Sequence, residues 1–206
     1  MTKSTPEMIA ERREEIINAC ETLYQTRSFK EITLKDIGSA TSFSRPTIYN
    51  YFETKEEIFL ALFRREYDRW NEDLSRIWRE NEHLDREQLA DRIAASLEKR
   101  GQLLKLLAMN NYDMERNSRQ ELLTDFKQAY GESMRSMDRI LKKFCPEMTE
   151  SDRQEFIYIF FPYMFGIHPY TSVTDKQRRA MEDAGVGFVY QSAYQLICTC
   201  LRKLLR

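Results

Sequence analysis

The sequence has few residues that interrupt helices. Among its 206 residues, six are glycine and five are proline. Leucine, isoleucine, glutamate, arginine and lysine recur at helical spacing over most of the chain. We therefore expect an all-α protein of about nine to ten helices, arranged in one or two domains.

An excess of one charge and a long apolar run are also missing. The formal net charge is −1, so no overall basic field attracts nucleic acid or an anionic membrane, and any DNA contact must be local. The longest apolar run, residues 156–167, is shorter than the roughly 20 residues that span a bilayer, and it contains Pro162. The N-terminus has no apolar signal core. We expect a cytoplasmic protein without membrane association.

Patterns for catalysis and for metal binding are lacking as well. His83 and His168 have no serine or cysteine partner at a recognisable spacing, and the glycines form no phosphate-binding loop. The cysteines do not have the spacing of a disulfide framework or a zinc site. We expect no enzyme activity, no cofactor, no metal, and buried or half-buried thiols at Cys20, Cys145, Cys198 and Cys200.

The N-terminal residues indicate three helices followed by a long fourth one. An apolar stripe at helical spacing predicts the first helix from about residue 6 to residue 25. Thr33 and Asp36 fit a capping box, in which two side chains satisfy backbone amides reciprocally, so the second helix is expected to begin directly after Thr33. Thr54 and Glu57 fit another capping box, which predicts the start of the fourth helix.

A tight turn precedes the third helix. Ser44 is a good N-cap, and Pro46 is tolerated because backbone amides in a first turn have no partner within the helix. Ile48 and Phe52 are four residues apart and are expected to face inward, which leaves Tyr51 pointing outward. Two short capped helices joined by a turn are typical of a helix-turn-helix motif, which indicates DNA binding.

The order Ser-x-Pro-Thr-Ile-Tyr-x-Tyr-Phe-x-Thr-Lys-Glu-Glu at residues 44–57 resembles the DNA-binding domain of the TetR family, the tetracycline-repressor-like bacterial regulators. The resemblance covers residues 8–63, with the helix-turn-helix motif at 33–52. One difference is Phe43, where the family usually has a smaller aliphatic residue. This difference predicts a repacked turn and a slightly tilted third helix.

The resemblance implies that the third helix enters the major groove of an operator duplex. Residues matching Arg45, Pro46 and Tyr49 then approach base edges. Arginine pairs bidentately with guanine, proline offers an apolar face to a thymine methyl, and hydroxyl groups donate to phosphate oxygens. Asn50 suits either adenine or the DNA backbone. The phosphate contacts implied by the resemblance are Thr33, Ser44, Thr47, Tyr51 and Lys55.

Residues 64–206 resemble the larger helical half of the family in architecture only, and that half binds effectors and dimerises. Periodicity continues the fourth helix to about residue 81. An interruption is expected at Pro162. The further helices are expected at residues 85–100, 102–114, 119–144, from Thr149 to 168–169, 176–183 and 188–205.

Aromatic and methionine side chains in this half suit a cavity for a small apolar or aromatic effector, or alternatively a plain helix-bundle core. The candidate pocket residues are Met109, Tyr112, Phe126, Tyr130, Met134, Phe161 and Met164. The resemblance also implies that two C-terminal helices form a four-helix bundle with a second subunit. The candidate dimer-interface residues are Phe156, Ile159, Phe160, Tyr163, Phe188, Tyr190, Tyr194, Ile197 and Leu201.

Two functional hypotheses follow from the sequence. The first is a ligand-responsive repressor that binds a palindromic operator as a homodimer and is released by its effector. The second is a helical small-molecule-binding or interaction protein whose N-terminal domain no longer reads DNA. Arg45 and Lys55 distinguish the two hypotheses, because only the first gives both side chains a role in DNA binding.

Overall fold

The computed structural model describes residues 5–109 and 111–206, without the side chains of Arg45 and of residues 111–113. These ranges contain eleven helices and no strand, which confirms the all-α prediction. The helices are α1 Pro6–Thr26, α2 Leu34–Ser39, α3 Arg45–Ile48, α4 Lys55–Glu80, α5 Arg86–Glu98, α6 Gly101–Leu107, α7 Asn111–Arg116, α8 Gln120–Phe144, α9 Glu150–Thr171, α10 Asp175–Asp183 and α11 Ala193–Leu204.

The starts of the early helices agree with their capping residues. Thr5 caps α1 by accepting a hydrogen bond from the amide of Met8. The capping box before α2 is confirmed: Thr33 Oγ1 accepts from the Asp36 amide at 3.2 Å, and Asp36 Oδ2 accepts from the Thr33 amide at 2.9 Å. These side chains satisfy amides that have no partner within the helix, which fixes where each helix begins.

The predicted interruption of the helix after Thr149 is wrong, because α9 continues through Pro162 and Pro169. Both prolines are exposed, while Phe160, Phe161 and Met164 are buried on the same helix. A proline inside a helix costs about 3 kcal/mol. Burying one large apolar side chain gains about 1.5–3 kcal/mol, so the buried side of α9 offsets the cost.

Two further helix predictions are wrong. The last helix begins at Ala193 rather than at 188, because Ser192 and Gln195 form a capping box there, at 3.1 and 2.9 Å. The predicted helix at 102–114 is replaced by α6 and α7.

The chain forms two compact units. Unit 1 comprises the residues up to Glu66 together with Met109–Ala129, and unit 2 comprises Tyr67–Ala108 and Tyr130–Arg206. Helices α4 and α8 each contribute residues to both units. The segment 109–129 therefore packs in unit 1. The division expected from the sequence, with a boundary between residues 63 and 64, instead assigns this segment to the C-terminal domain.

Unit 1 has an apolar core built from α1 to α4. Ile48 and Phe52 are fully buried, which confirms that they face inward. The ring of Phe59 on α4 contacts two aromatic rings edge to face, with centroids 5.1 Å from Tyr24 and 4.8 Å from Phe29. These contacts join α4 to α1 and to the connection between α1 and α2.

Unit 2 is a helical bundle in which α11 packs against α5 and α9, and α6 packs against α9. Its core includes an aromatic group in which the ring of Phe161 lies 5.8 Å from the rings of Trp70 and Tyr130. The cysteine prediction is confirmed, since Cys20, Cys145 and Cys198 are buried and Cys200 is half-buried. Over the described ranges, no helix is long and apolar enough to cross a membrane.

A hydrogen bond in the core of unit 2 predicts a measurable stability effect. The indole nitrogen of Trp70 donates to Ser96 Oγ at 3.1 Å, and both residues are buried. Ser96→Ala leaves that indole N–H without this acceptor, so we expect a loss of about 1–3 kcal/mol in unfolding free energy. Urea denaturation monitored by circular dichroism measures the loss.

Ser133→Ala is the matched control, because Ser133 is also buried but its hydroxyl donates to Tyr130 O on the same helix. We expect the control to change the unfolding free energy by less than about 0.5 kcal/mol, since a helical carbonyl keeps its backbone partner. Equal losses for the two variants would contradict the importance of the Trp70 hydrogen bond.

Candidate nucleic-acid interface

The turn between α2 and α3 is held by side-chain hydrogen bonds. Thr41 Oγ1 donates to the carbonyl oxygens of Gly38 at 2.9 Å and Phe43 at 3.2 Å. The amide of Ser42 donates to a carboxylate oxygen of Glu15 on α1. The turn is therefore attached both to the end of α2 and to α1, so the start of α3 has a fixed place in unit 1.

Helix α3 is short, and residues 49–51 continue it as a turn. Ser44 occupies the predicted N-cap position, but its hydroxyl makes no capping hydrogen bond and instead lies 3.0 Å from Thr47 Oγ1. The amides of Tyr51 and Phe52 both donate to Ile48 O, at 2.8 and 2.9 Å. The buried side chains of Ile48 and Phe52 thus close the turn from inside.

Most predicted DNA-binding side chains lie on the outside of this turn. Thr33, Ser44, Pro46 and Asn50 are exposed, Thr47 is half-buried, and Tyr49 is 47% exposed. The side chain of Arg45 lies outside the described residues. The exposed and half-buried side chains around α3 are together called the reading surface: Ser44, Pro46, Thr47, Tyr49 and Asn50.

Tyr51 is not on the reading surface, so the expectation that its side chain points outward is wrong. Tyr51 is 8% exposed, and its hydroxyl oxygen accepts a hydrogen bond from Arg12 Nη1 at 3.3 Å. Its carbonyl oxygen accepts from Arg13 Nη1 at 3.3 Å. Burial of this large aromatic ring against α1 removes apolar surface from water, and the free energy gained favours the buried position over an exposed one. The predicted phosphate contact of Tyr51 is not tested by these contacts.

Lys55 has a structural use that the sequence did not indicate. Its ammonium group donates to Phe29 O at 2.9 Å and to Ile32 O at 3.1 Å, and it lies 4.1 Å from the centre of the Phe29 ring. These contacts satisfy two carbonyl groups of the connection between α1 and α2. The first turn of α4 is therefore tied to that connection by one side chain.

Glu57 does not close the capping box predicted with Thr54. The Glu57 amide does donate to Thr54 Oγ1 at 3.2 Å, but the Glu57 carboxylate accepts from the amide of Glu53 at 2.7 Å. The carboxylate turns away from Thr54 because an arginine from the segment before α8 binds it. The capping box is thus only half formed, and Glu57 is 1% exposed.

That arginine is Arg119, which the sequence reasoning missed. Its Nε and Nη2 donate to the two Glu57 carboxylate oxygens at 2.7 and 2.8 Å, and its backbone amide donates to Glu57 Oε1 at 3.1 Å. Nη2 also donates to Tyr51 O at 3.2 Å. No spacing rule in the sequence joins residues 57 and 119, so nothing local could have indicated this pair.

The pair is charged at neutral pH. Burial raises the pKa of the Glu57 carboxyl, but hydrogen bonds from Arg119 and from the Glu53 amide outweigh that effect, so the pKa lies below its ordinary value. The hydrogen bonds between Arg119 and Glu57 raise the pKa of the Arg119 guanidinium. A buried carboxylate with this set of donors stays ionised and holds its partners in one geometry.

The candidate pocket residues are distributed over both units. Met109 and Phe126 belong to unit 1, where Met109 Sδ accepts a hydrogen bond from the Tyr24 hydroxyl at 2.9 Å. In unit 2, Tyr130 and Met134 are half-buried, while Phe161 and Met164 are buried. The side chain of Tyr112 lies outside the described residues. Of the six candidate residues whose side chains are described, four therefore lie in unit 2 and two in unit 1.

The candidate interface residues divide by exposure. Ile159 is exposed, and Tyr163, Phe188, Tyr190 and Tyr194 are half-buried. Phe156, Phe160, Ile197 and Leu201 are buried within the protomer, where α9 packs against α11. These four side chains already belong to the protomer core, because each lies on the inner side of its helix.

A helix-turn-helix unit followed by a larger helical unit is the architecture that these contacts define. The family described as "Bacterial regulatory proteins, tetR family" matches residues 16–62, and "Tetracyclin repressor-like, C-terminal domain" matches residues 64–190. Together these matches cover most of the chain. The chain belongs to the TetR family of bacterial regulatory proteins.

Two relatives among curated proteins match this chain over short stretches of 57 and 52 residues. The uncharacterized HTH-type transcriptional regulator YfiR of Bacillus subtilis is 37% identical over 57 residues, which is 28% of this chain and 28% of YfiR. The HTH-type transcriptional regulator EthR of Mycolicibacterium smegmatis is 36% identical over 52 residues, 25% of this chain and 24% of EthR. The chain thus matches about a quarter of the length of each of these relatives.

Solved structures resemble the whole chain. FadR of Thermus thermophilus, a TetR family repressor in complex with lauroyl-CoA, has a TM-score of 0.60 and 18% identity over 94% of this chain and 93% of that one. FadR of Bacillus subtilis, in complex with stearoyl-CoA, has a TM-score of 0.61 and 17% identity over 93% and 97% of the two chains. At these identities the likeness concerns the fold.

Lys55 provides a test that separates its structural use from a phosphate contact. Lys55→Ala removes two charge-assisted hydrogen bonds and the cation–π contact with Phe29, so we expect a loss of about 1–3 kcal/mol in unfolding free energy. The salt dependence of DNA binding should stay unchanged, since the ammonium is occupied by carbonyl oxygens. Chemical denaturation and fluorescence anisotropy at several salt concentrations measure the two effects.

Lys30→Ala is the control, because Lys30 is an exposed lysine within the same connection. It should leave the unfolding free energy within about 0.5 kcal/mol of the wild type. If Lys55→Ala kept full stability and lowered the salt slope by about one, the phosphate contact implied by the resemblance would be correct instead.

Proposed function

We propose that this protein is a transcriptional regulator that binds double-stranded DNA through unit 1, with α3 in the major groove. The observation that carries the proposal is the reading surface itself. Pro46, Tyr49 and Asn50 are exposed around α3, while Ile48 and Phe52 beneath them are fully buried. Family membership supports a regulator rather than an enzyme.

Within this proposal the exposed side chains have different tasks. Arg45, Pro46 and Tyr49 read base edges, and Asn50 reads adenine or contacts the backbone. Thr33, Ser44 and Thr47 lie beside phosphate oxygens, which fixes the register of the protein on the duplex. Tyr51 and Lys55 instead support the surface from behind, as their hydrogen bonds to Arg12 and to the α1–α2 connection indicate.

We further propose that the regulator acts as a homodimer on a palindromic operator. Two α3 helices about 34–36 Å apart enter successive major grooves on one face of the duplex. An exposed apolar face of unit 2 supports the pairing: Tyr158 is 66% exposed and Ile159 45% exposed on α9. Among the predicted interface residues, the accessible candidates are Ile159, Tyr163, Phe188, Tyr190 and Tyr194.

The regulator is proposed to be a repressor that a small apolar or aromatic effector releases from DNA. Two relatives of the same fold were solved with lauroyl-CoA and with stearoyl-CoA. In this chain the candidate surface for contacting the effector is the aromatic group around Phe161. The predicted pocket residues Tyr130, Met134 and Met164 lie on the same two helices, α8 and α9. The dimer is proposed to have two arrangements, one with the α3 helices at the spacing that fits DNA and one with a different spacing. Release requires only that the effector binds these two arrangements with different affinity.

Sequence selection tests the DNA-binding function. A pool of randomised duplexes is passed over the wild-type protein, and the enriched duplex is then titrated by fluorescence anisotropy. We expect one palindromic sequence to be enriched. Enrichment of no sequence would contradict the regulator and support the alternative, a small-molecule-binding protein whose N-terminal unit no longer reads DNA.

Arg45→Ala tests base reading on that duplex. A bidentate arginine–guanine contact contributes about 1–3 kcal/mol of discrimination, so the variant should lose that much affinity for the selected duplex and little for a scrambled one. Arg79→Ala, at an exposed arginine of unit 2, is the control and should bind like the wild type. Equal losses on both duplexes would refute the assignment of Arg45 to base edges.

A further inference from the structure

We infer that Arg119 is a positioning residue for the reading surface, although it lies outside the stretch that matches the DNA-binding family. The inference rests on the proposed function. The family match to the N-terminal unit ends at residue 62, and Arg119 lies within the stretch that matches the C-terminal domain. The structure nevertheless places Arg119 in unit 1, directly behind the turn that follows α3.

The Arg119 guanidinium binds a buried carboxylate in a bidentate manner. Its Nε and Nη2 bind the two oxygens of Glu57 at 2.7 and 2.8 Å, and Nη2 also binds Tyr51 O at 3.2 Å. Charge-assisted bidentate pairs are strong and directional. One guanidinium therefore fixes the distance between the first turn of α4 and the end of the turn after α3.

The carbonyl of Tyr51 is well placed to control the reading surface. Tyr49 and Asn50, two of its exposed side chains, directly precede residue 51, and α3 has only four residues of its own. A helix this short cannot hold its geometry by backbone hydrogen bonds alone. Its C-terminal side is held by Tyr51 O, which accepts from Arg119 and from Arg13 of α1.

The segment that carries Arg119 is itself anchored to unit 1 at other points. Thr54 Oγ1 donates to Asn117 O at 2.9 Å. Further along the segment, Phe126 packs on Phe63 with ring centroids 4.7 Å apart. The guanidinium therefore projects from a backbone that is already fixed, so the pair with Glu57 transmits the position of the segment to the turn.

Nε and Nη2 of Arg119 are directed at Glu57 and Tyr51, so in our proposal Arg119 acts on the reading surface through the turn and not through a phosphate contact. A change at Arg119 should thus alter which sequence is preferred and leave the number of phosphate contacts unchanged. Loss of folding would lower the fraction of active protein, and loss of a phosphate contact would lower the salt slope. These three effects are separable in one set of titrations.

Arg119→Lys is the test variant. Lysine keeps the positive charge beside Glu57, so the buried carboxylate retains a partner and the fold is preserved. Lysine cannot make the planar fork and reach Tyr51 O together. Wild type and variant are titrated with the duplex selected by the wild type and with a scrambled duplex, at several salt concentrations, after circular dichroism and a melting curve for each.

We expect Arg119→Lys to weaken binding to the selected duplex by roughly 5- to 20-fold and binding to the scrambled duplex by less than about twofold. The salt slope and the binding stoichiometry should equal those of the wild type. Arg116→Lys, the same exchange at an exposed position three residues earlier, is the control and should leave both affinities unchanged.

Three results would overturn the inference. Equal affinity of Arg119→Lys and wild type for the selected duplex shows that the turn after α3 does not depend on the bidentate hydrogen bonds of Arg119. A lower salt slope shows that Arg119 contacts phosphate. A loss confined to stoichiometry shows that Arg119 matters for folding only. If the wild type selects no duplex, the proposed function and this inference fall together, whereas the three results above leave the proposed function intact.

Should Arg119→Lys unfold the protein, Glu57→Gln provides the same test from the other side of the pair. Glutamine keeps an acceptor for the Glu53 amide but removes the charge that Arg119 binds. The expected result is again a loss of preference between the selected and scrambled duplexes at unchanged salt slope. Unchanged preference in this variant would overturn the inference in the same way.

Discussion

The buried carboxylate of Glu57 is the constraint on which unit 1 depends. It accepts hydrogen bonds from the Glu53 amide and from three nitrogens of Arg119, and it is almost fully removed from water. Placing a charge inside a protein is costly unless it is paired and fully hydrogen-bonded, and a buried charge so paired has essentially one allowed geometry. The position of α4, of the segment before α8 and of the turn after α3 all follow from it.

The apolar contacts of unit 1 and this polar pair have complementary effects. Ile48, Phe52 and Phe59 supply the burial that makes the unit stable. Apolar burial is non-directional, however, and it leaves the rotation of a four-residue helix weakly determined. The hydrogen bonds of Arg119, Arg13 and Lys55 add direction, because each ends on a specific carbonyl or carboxylate oxygen. A surface that distinguishes base sequences needs both effects.

Local signals in the sequence were sufficient for the early helices and for the inward-facing residues beneath the reading surface, but not for every later helix. The capping box of Thr33 and Asp36 and the inward spacing of Ile48 and Phe52 depend on residues three or four apart, so they are visible in the sequence. The uses of Lys55, Tyr51 and Glu57 depend on partners between 23 and 68 residues away. The path of α9 through two prolines was missed for a similar reason, since tertiary burial outweighs local propensity there.

The most direct test of this account is amide hydrogen exchange in the wild type and in Glu57→Gln. The amides of Tyr51 and Phe52 donate to Ile48 O, and the amide of Glu53 donates to Glu57 itself. The account predicts faster exchange at these three amides in the variant, with unchanged exchange along α5 in unit 2. Unchanged exchange at residues 51–53, or an equal increase in both units, would contradict the claim that Glu57 holds this turn in place.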